Sequence, residues 1–178
     1  GDSSSVSSDL SSGVVQIFSA SEGAFAALKS DGSVVTWGSS YYGGDSSSVD
    51  LSSGIEEIYS NNHAYAAVKT DGTIVTWGNP SYGGDSSSFG YTNVIEIYPN
   101  NGAFAALLSN GQVKVWGNSG YGGNPSSTIL NQLSTGVSEI GEIVKVGNRF
   151  SNIDFIHTQL TDAVEDVNLK AIETIKKE

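Results

Sequence analysis

Few side chains in this chain are equipped for chemistry. The two histidines are His63 and His157, and imidazole is the group best suited to move a proton or hold a metal near neutral pH. Neither has a second histidine at a metal-ligand spacing. His63 fills a loop slot that Gly23 and Gly102 hold in sister segments, which reads as a variable loop position. Serines are abundant, but no Gly-x-Ser-x-Gly elbow, Walker loop or dinucleotide fingerprint occurs. With no cysteine there is no thiol nucleophile, disulfide framework or cysteine zinc site. Asp45 and Asp85 each follow a Gly-Gly pair and precede serines, which raises calcium. An Asx turn, in which the carboxylate bonds its own backbone, accounts for the same pattern better. No catalytic residue, metal or cofactor is therefore expected. Tyr41, Tyr42, Tyr82 and Tyr121 sit just past Trp-Gly pairs. Tyrosines in register either display a binding face for protein or glycan, or pack against neighbouring units.

An internal repeat positions these residues. Gly1-Asp2-Ser3-Ser4-Ser5 returns as Gly44-Asp45-Ser46-Ser47-Ser48 and as Gly84-Asp85-Ser86-Ser87-Ser88. A weaker copy is Gly123-Asn124-Pro125-Ser126-Ser127, and the successive offsets are 43, 40 and 39. Ala24-Phe25-Ala26-Ala27-Leu28 matches Ala64-Tyr65-Ala66-Ala67-Val68 and Ala103-Phe104-Ala105-Ala106-Leu107. Asp31-Gly32, Asp71-Gly72 and Asn110-Gly111 follow, then Trp37-Gly38, Trp77-Gly78 and Trp116-Gly117. Because the sequence opens inside a repeating unit, further repeats are expected upstream in a longer parent protein.

Each unit reads as strands. Asp-Gly between apolar runs is a short hairpin turn, with φ > 0 expected at both central residues. Ala24 to Lys29 should pair antiparallel with Ser33 to Trp37, and Val14 to Phe18 supplies a third strand. The serine-rich stretch is a candidate short fourth. The alanine strand is apolar on both faces, so it lies between two layers. Sheets of about four short strands, stacked at this period, describe propeller blades.

The order aromatic-Ala-Ala-Leu, Asp-Gly, Val-x-x-Trp-Gly and then a glycine pair resembles the regulator of chromosome condensation repeat. The resemblance covers Gly1 to about Ser127 and is closest to the shorter bacterial-type repeats. It departs where the family has Gly-Gln-Leu-Gly after the tryptophan, since this chain has Tyr42-Gly43-Gly44-Asp45 and its copies. The resemblance implies a β-propeller, of which three units make only a part. It assigns Trp37, Trp77 and Trp116 to the framework, with Phe25, Tyr65 and Phe104 beside them in the core. It carries over no functional residue.

Three tandem blade repeats are thus expected over 1–127, as 1–43, 44–83 and 84–122 plus the start of a fourth. Residues 128–178 form a degenerate repeat and a helical tail. Leu133-Ser134-Thr135-Gly136-Val137 still echoes Leu51-Ser52-Ser53-Gly54-Ile55, but no Trp-Gly follows. The spacing predicts a helix over 152–176, with the stripe Ile153, Ile156, Leu160, Val164, Val167, Ala171 and Ile175 at an 11-residue period. A single apolar stripe on a polar helix needs a partner, in the same chain or another. Lys114 stands where the earlier units have Val35 and Val75, so its ammonium is expected in water or on a carboxylate.

Composition limits what such an array can do. The chain of 178 residues carries 8 basic and 19 acidic side chains, a net charge of −11. That acidic balance excludes nucleic acid as an expected partner. No apolar run approaches about 18 residues, so no membrane-spanning helix is expected. The sequence as a whole reads as an all-β repeat protein: about three propeller-type blades in an open array, followed by a C-terminal α-helix. Its expected role is that of a non-catalytic structural and protein-interaction module. The repeats present loops, and the helix docks to a larger complex, which can lie at the periphery of a membrane. An extracellular or virion-surface adhesion segment and an enzyme-inhibiting propeller are the alternatives.

Overall fold

A computed structural model of the chain describes residues 2–85, 90–134 and 137. Among these residues the fold is mostly β. The first sheet holds β1 (Val14–Ala20), β2 (Ala24–Lys29) and β3 (Val34–Gly38). The second holds β4 (Ile55–Ser60), β5 (Ala64–Lys69) and β6 (Ile74–Gly78), and the third β7 (Val94–Pro99), β8 (Ala103–Leu108) and β9 (Val113–Gly117). Each sheet is antiparallel, with its alanine strand in the middle. Equivalent aromatic pairs lie opposite each other across the strands: Phe25 with Trp37, Tyr65 with Trp77, Phe104 with Trp116. A short helix, α1 (Ser127–Gln132), follows. Among the described residues no helix is long and apolar enough to cross a membrane.

Two local expectations are corrected. Among the described residues the serine-rich stretch does not make a fourth strand. Asp45 and Asp50 draw the amides of Ser47 and Ser52 onto their carboxylates at 2.9 and 3.0 Å, which competes with ladder bonds. The stretch touches β3 through the Val34 N–H on the Leu51 carbonyl, 2.9 Å, and the Thr36 and Ser46 hydroxyls, also 2.9 Å. The Asp-Gly hairpins also differ from the expected turn. Only the glycine takes the left-handed conformation, at φ +78° for Gly32. The Gly32 N–H bonds the Lys29 carbonyl and the Lys29 N–H bonds the Ser33 carbonyl, a turn with a glycine bulge. Asp31 instead accepts the Ser33 amide and hydroxyl at 3.0 and 2.6 Å.

The sheets stack face to face. Ala24, Ala26 and Leu28 of the first pack with Ile58, Tyr65, Ala67 and Trp77 of the second. Ala64, Ala66 and Val68 of the second pack with Ile97, Phe104, Ala106 and Trp116 of the third. One face of each alanine strand therefore supplies small side chains that receive the aromatic pair of the next sheet. Trp77 and Trp116 are buried, but Trp37 and Phe25 are only half-buried. Their side of the first sheet meets no other sheet among the described residues.

The tail begins in register with the repeat. The Val137 N–H bonds the Gly111 carbonyl at 3.1 Å, as Ile55 bonds Gly32 and Val94 bonds Gly72. The Leu133 carbonyl accepts from Val113 at 2.8 Å, as the Leu51 carbonyl accepts from Val34. The helix α1 lies within this lead-in, and the sequence reading missed it; its only local signal is Ser126, which caps the Ile129 amide. The helix expected over 152–176, with its stripe from Ile153 to Ile175, lies outside the described residues. Lys114 is half-buried. Its Nζ stands 5.8 Å from the centre of the Tyr91 ring, a cation–π geometry.

Candidate functional site

All three sheets point the same kinds of turn to one end. There the β1–β2, β4–β5 and β7–β8 turns meet the three-residue 3-10 turns that follow β3, β6 and β9. These short turns are Ser40–Tyr42, Pro80–Tyr82 and Ser119–Tyr121, and each ends on a left-handed glycine. Asn79 and Asn118 start the second and third turns by accepting the amides of Ser81 and Gly120, at 3.0 and 2.9 Å. Glycine is required at the end: a β-carbon on Gly83, at φ +95°, would sit 2.8 Å from the Phe104 ring. The tyrosine turn of one unit thus lies directly on the aromatic pair of the next.

The four tyrosines of the sequence reading come together with a fifth ring. Tyr41 meets Tyr42 edge-on at 5.1 Å between ring centres. Tyr42 lies 5.5 Å from His63, His63 4.0 Å from Tyr82, and Tyr82 6.4 Å from Tyr121. His63 is therefore a packed member of an aromatic row, and not merely a variable loop residue. The third unit has Gly102 in this slot. A β-carbon there would fall 2.5 Å from the Tyr121 ring and 2.9 Å from Tyr82, so the two tyrosines close over bare backbone. The His63 Nδ1 is buried without a hydrogen-bond partner, which leaves stacking to hold the ring. Tyr41 and Tyr121, at 62% and 45% exposure, display the row to solvent.

Two asparagines that the sequence reading passed over fix this edge. Asn61 accepts the amides of His63 and Ala64, both at 2.8 Å, and donates to the Tyr82 carbonyl at 2.8 Å. Asn100 does the same for Gly102, Ala103 and the Tyr121 carbonyl. Their signal was visible: an Asn-Asn pair stands two residues ahead of the Ala-aromatic-Ala core in both units.

The two ends of the sheets differ in how many charged groups their turns carry. The turns of the tyrosine edge hold a single carboxylate, Glu22. The opposite end carries Asp31, Asp50 and Asp71 together with Lys29 and Lys69. Hydrogen bonds from Ser33, Ser52 and Thr73 hold those three carboxyls below the usual carboxylate range, and all three are exposed. Phenols away from the edge are kept neutral. Burial first, and then the Glu57 carboxylate, pushes the Tyr59 hydroxyl well above its ordinary value. Among the described residues no three His, Asp or Glu side chains converge as a metal site would need. The stripe residues Ile153, Ile156, Leu160, Val164, Val167, Ala171 and Ile175 lie outside the described residues.

No protein-family model matches this chain, and no curated protein matches it either. Among solved structures it is similar to human WBSCR16, at 22% identity and a TM-score of 0.39, over 58% of this chain and 34% of that one. It is also similar to the computationally designed Ika8 protein, at 13% identity and a TM-score of 0.33, over 56% of this chain and 31% of that one. The chain spans about a third of the length of these structures.

Proposed function

We propose that this chain is a non-catalytic structural and protein-interaction module. Its stacked sheets act as blades of an open propeller-type array, built from units like the regulator of chromosome condensation repeat. The array presents the tyrosine edge to a protein partner within a larger assembly. The observation that carries this reading is the aromatic row from Tyr41 to Tyr121, displayed on turns with one carboxylate among them. Tyrosine offers a large, rigid contact surface with a polar tip, and few rotatable bonds are lost on binding. Asparagine, serine and glycine beside it supply adaptable hydrogen bonding, the composition of loops that recognise proteins. The Asn61 and Asn100 bonds hold the edge in place beforehand, which lowers the entropy lost on association.

Native mass spectrometry of the protein with what it travels with tests this. A complex of fixed stoichiometry is expected for the unmodified chain. It should be lost in a Tyr41→Ser, Tyr121→Ser variant whose thermal unfolding is unchanged. A complex that persists in that variant with the same affinity overturns the reading.

A further inference from the structure

The outer side of the first sheet is a partly covered copy of an interface that the molecule builds twice: Ala27 at its centre is buried, and Ile17 beside it is not. Ile17, Phe25, Val35 and Trp37 occupy it, at the positions of Ile58, Tyr65, Val75 and Trp77 in the second sheet. In the second and third sheets this side is closed, and Ile58 and Ile97 are 2% and 1% exposed. In the first sheet Ile17 is 59% exposed, and Phe25, Val35 and Trp37 are half-buried. The 3-10 turn Ser4–Val6 lies against β3 and leaves Ile17 on β1 bare.

What closes the equivalent side elsewhere has the same chemistry both times. It is an Ala-x-Ala-x-aliphatic face, Ala24, Ala26 and Leu28 in one case and Ala64, Ala66 and Val68 in the other. Two alanines leave room for an aromatic ring and a β-branched side chain while bringing the backbones close. A Gly-Gly corner then covers the indole. Gly43 lies on Trp77, and the Gly83 carbonyl accepts the Trp116 Nε1–H at 3.2 Å. From these two interfaces we infer that the Ile17–Trp37 side is a docking surface for a further sheet of this same repeat. That sheet would seat its Ala-x-Ala-x-Leu face on Ile17 and Phe25, and its Gly-Gly corner on Trp37. The inference rests on the packing of the sheets and is independent of the partner proposed for the tyrosine edge.

The register dictates the experiment. A copy of residues 1–43 placed ahead of Gly1 recreates the Tyr-Gly-Gly-Asp junction found at Tyr42 to Asp45. With Trp37→Phe in the added copy, the full chain labelled with 5-fluorotryptophan reports on the original Trp37 by fluorine NMR. Broadening of that signal by a soluble paramagnetic agent should fall several-fold, to the level of Trp77 and Trp116. Ala24→Glu and Ala26→Glu in the added copy should restore the broadening. Unchanged broadening overturns the inference, and so does an added copy that contributes no new β-sheet amide signals. Protection of Trp37 in the original chain that grows with its concentration would assign the surface to a second copy and overturn it too. None of these outcomes involves Tyr41 or Tyr121, so this inference and the edge proposal fail separately.

Discussion

The Asn61 side chain donates to the Tyr82 carbonyl 2.8 Å away, tying the β4–β5 turn of one unit to the tyrosine turn that follows β6. Asn61 is buried and uses both ends of its amide. Asn61→Ala removes three hydrogen bonds and leaves buried partners unpaired. The expected loss is about 2–3 kcal/mol, read as a lower urea midpoint with an unchanged slope. Asn61→Asp should be worse than Ala, because a buried carboxylate can accept but not donate. If either variant unfolds at the wild-type midpoint, Asn61 does not fix the edge.

The Tyr65 hydroxyl bridges the first two sheets, accepting from the Ala20 N–H at 2.9 Å and donating to the Ala24 carbonyl at 2.7 Å. Phe25 and Phe104 fill the same slot in the other units, so the bare ring fits. Tyr65→Phe therefore isolates the hydroxyl, and about 1–2 kcal/mol of stability should go with it. Tyr65→Ala should cost about 3–5 kcal/mol, since it also empties the stack on Trp77, 5.1 Å away. Equal losses for the two variants would show that the bridge contributes nothing.

Strands and turns were legible in this sequence because the signals are local and said three times. The Ala-x-Ala runs and the Asp-Gly and Trp-Gly pairs placed the three strands of the first unit to within about two residues, and the repeat carried them into the other two units. The missing fourth strand was harder to see, because its fate depends on whether Asp45 and Asp50 bond their own serines or leave those amides to a ladder. At the candidate site, the tyrosines were found by register alone. His63 was misread because its slot holds glycine in the sister units, and only the packed turns show that the slot lies between two rings. Asn61 and Asn100 escaped because asparagine before a turn is ordinary in a sequence. Their bonds to Tyr82 and Tyr121 join residues 21 positions apart.

Lys114 and Tyr91 change together relative to the other units, and the ammonium lies over the ring. A double-mutant cycle of Lys114→Met and Tyr91→Leu should give a coupling energy of about 0.5–1 kcal/mol. Lys114→Val restores the residue of the sister slots and should leave stability within about 1 kcal/mol of the original, since buried apolar area offsets the lost cation–π contact. Lys114→Glu sets an anion against the negative face of the ring and should destabilise more than valine does. A coupling indistinguishable from zero would leave the lysine merely solvated.

Acid should weaken the fold through the turns that its aspartates cap. Asp31, Asp50 and Asp71 are held below the usual carboxylate range by the hydroxyl and amide groups two residues on. A carboxyl whose folded value is depressed binds its proton more readily in the unfolded chain. Its contribution is therefore fully present above about pH 4, the unfolded value, and is lost as pH falls through the lower folded value. The third unit shows how to remove this dependence without breaking the turn. Asn110 stands in the aspartate slot, and its Oδ1 accepts the Gln112 amide at 3.0 Å, as Asp31 accepts Ser33. Asp31→Asn and Asp71→Asn together should leave the pH 7 melting temperature nearly unchanged, because the amide oxygen accepts the same backbone bond. They should flatten its decline between about pH 4 and pH 2 relative to the parent. Parallel curves for parent and variant over that interval would show that the two carboxylates play no part in acid unfolding.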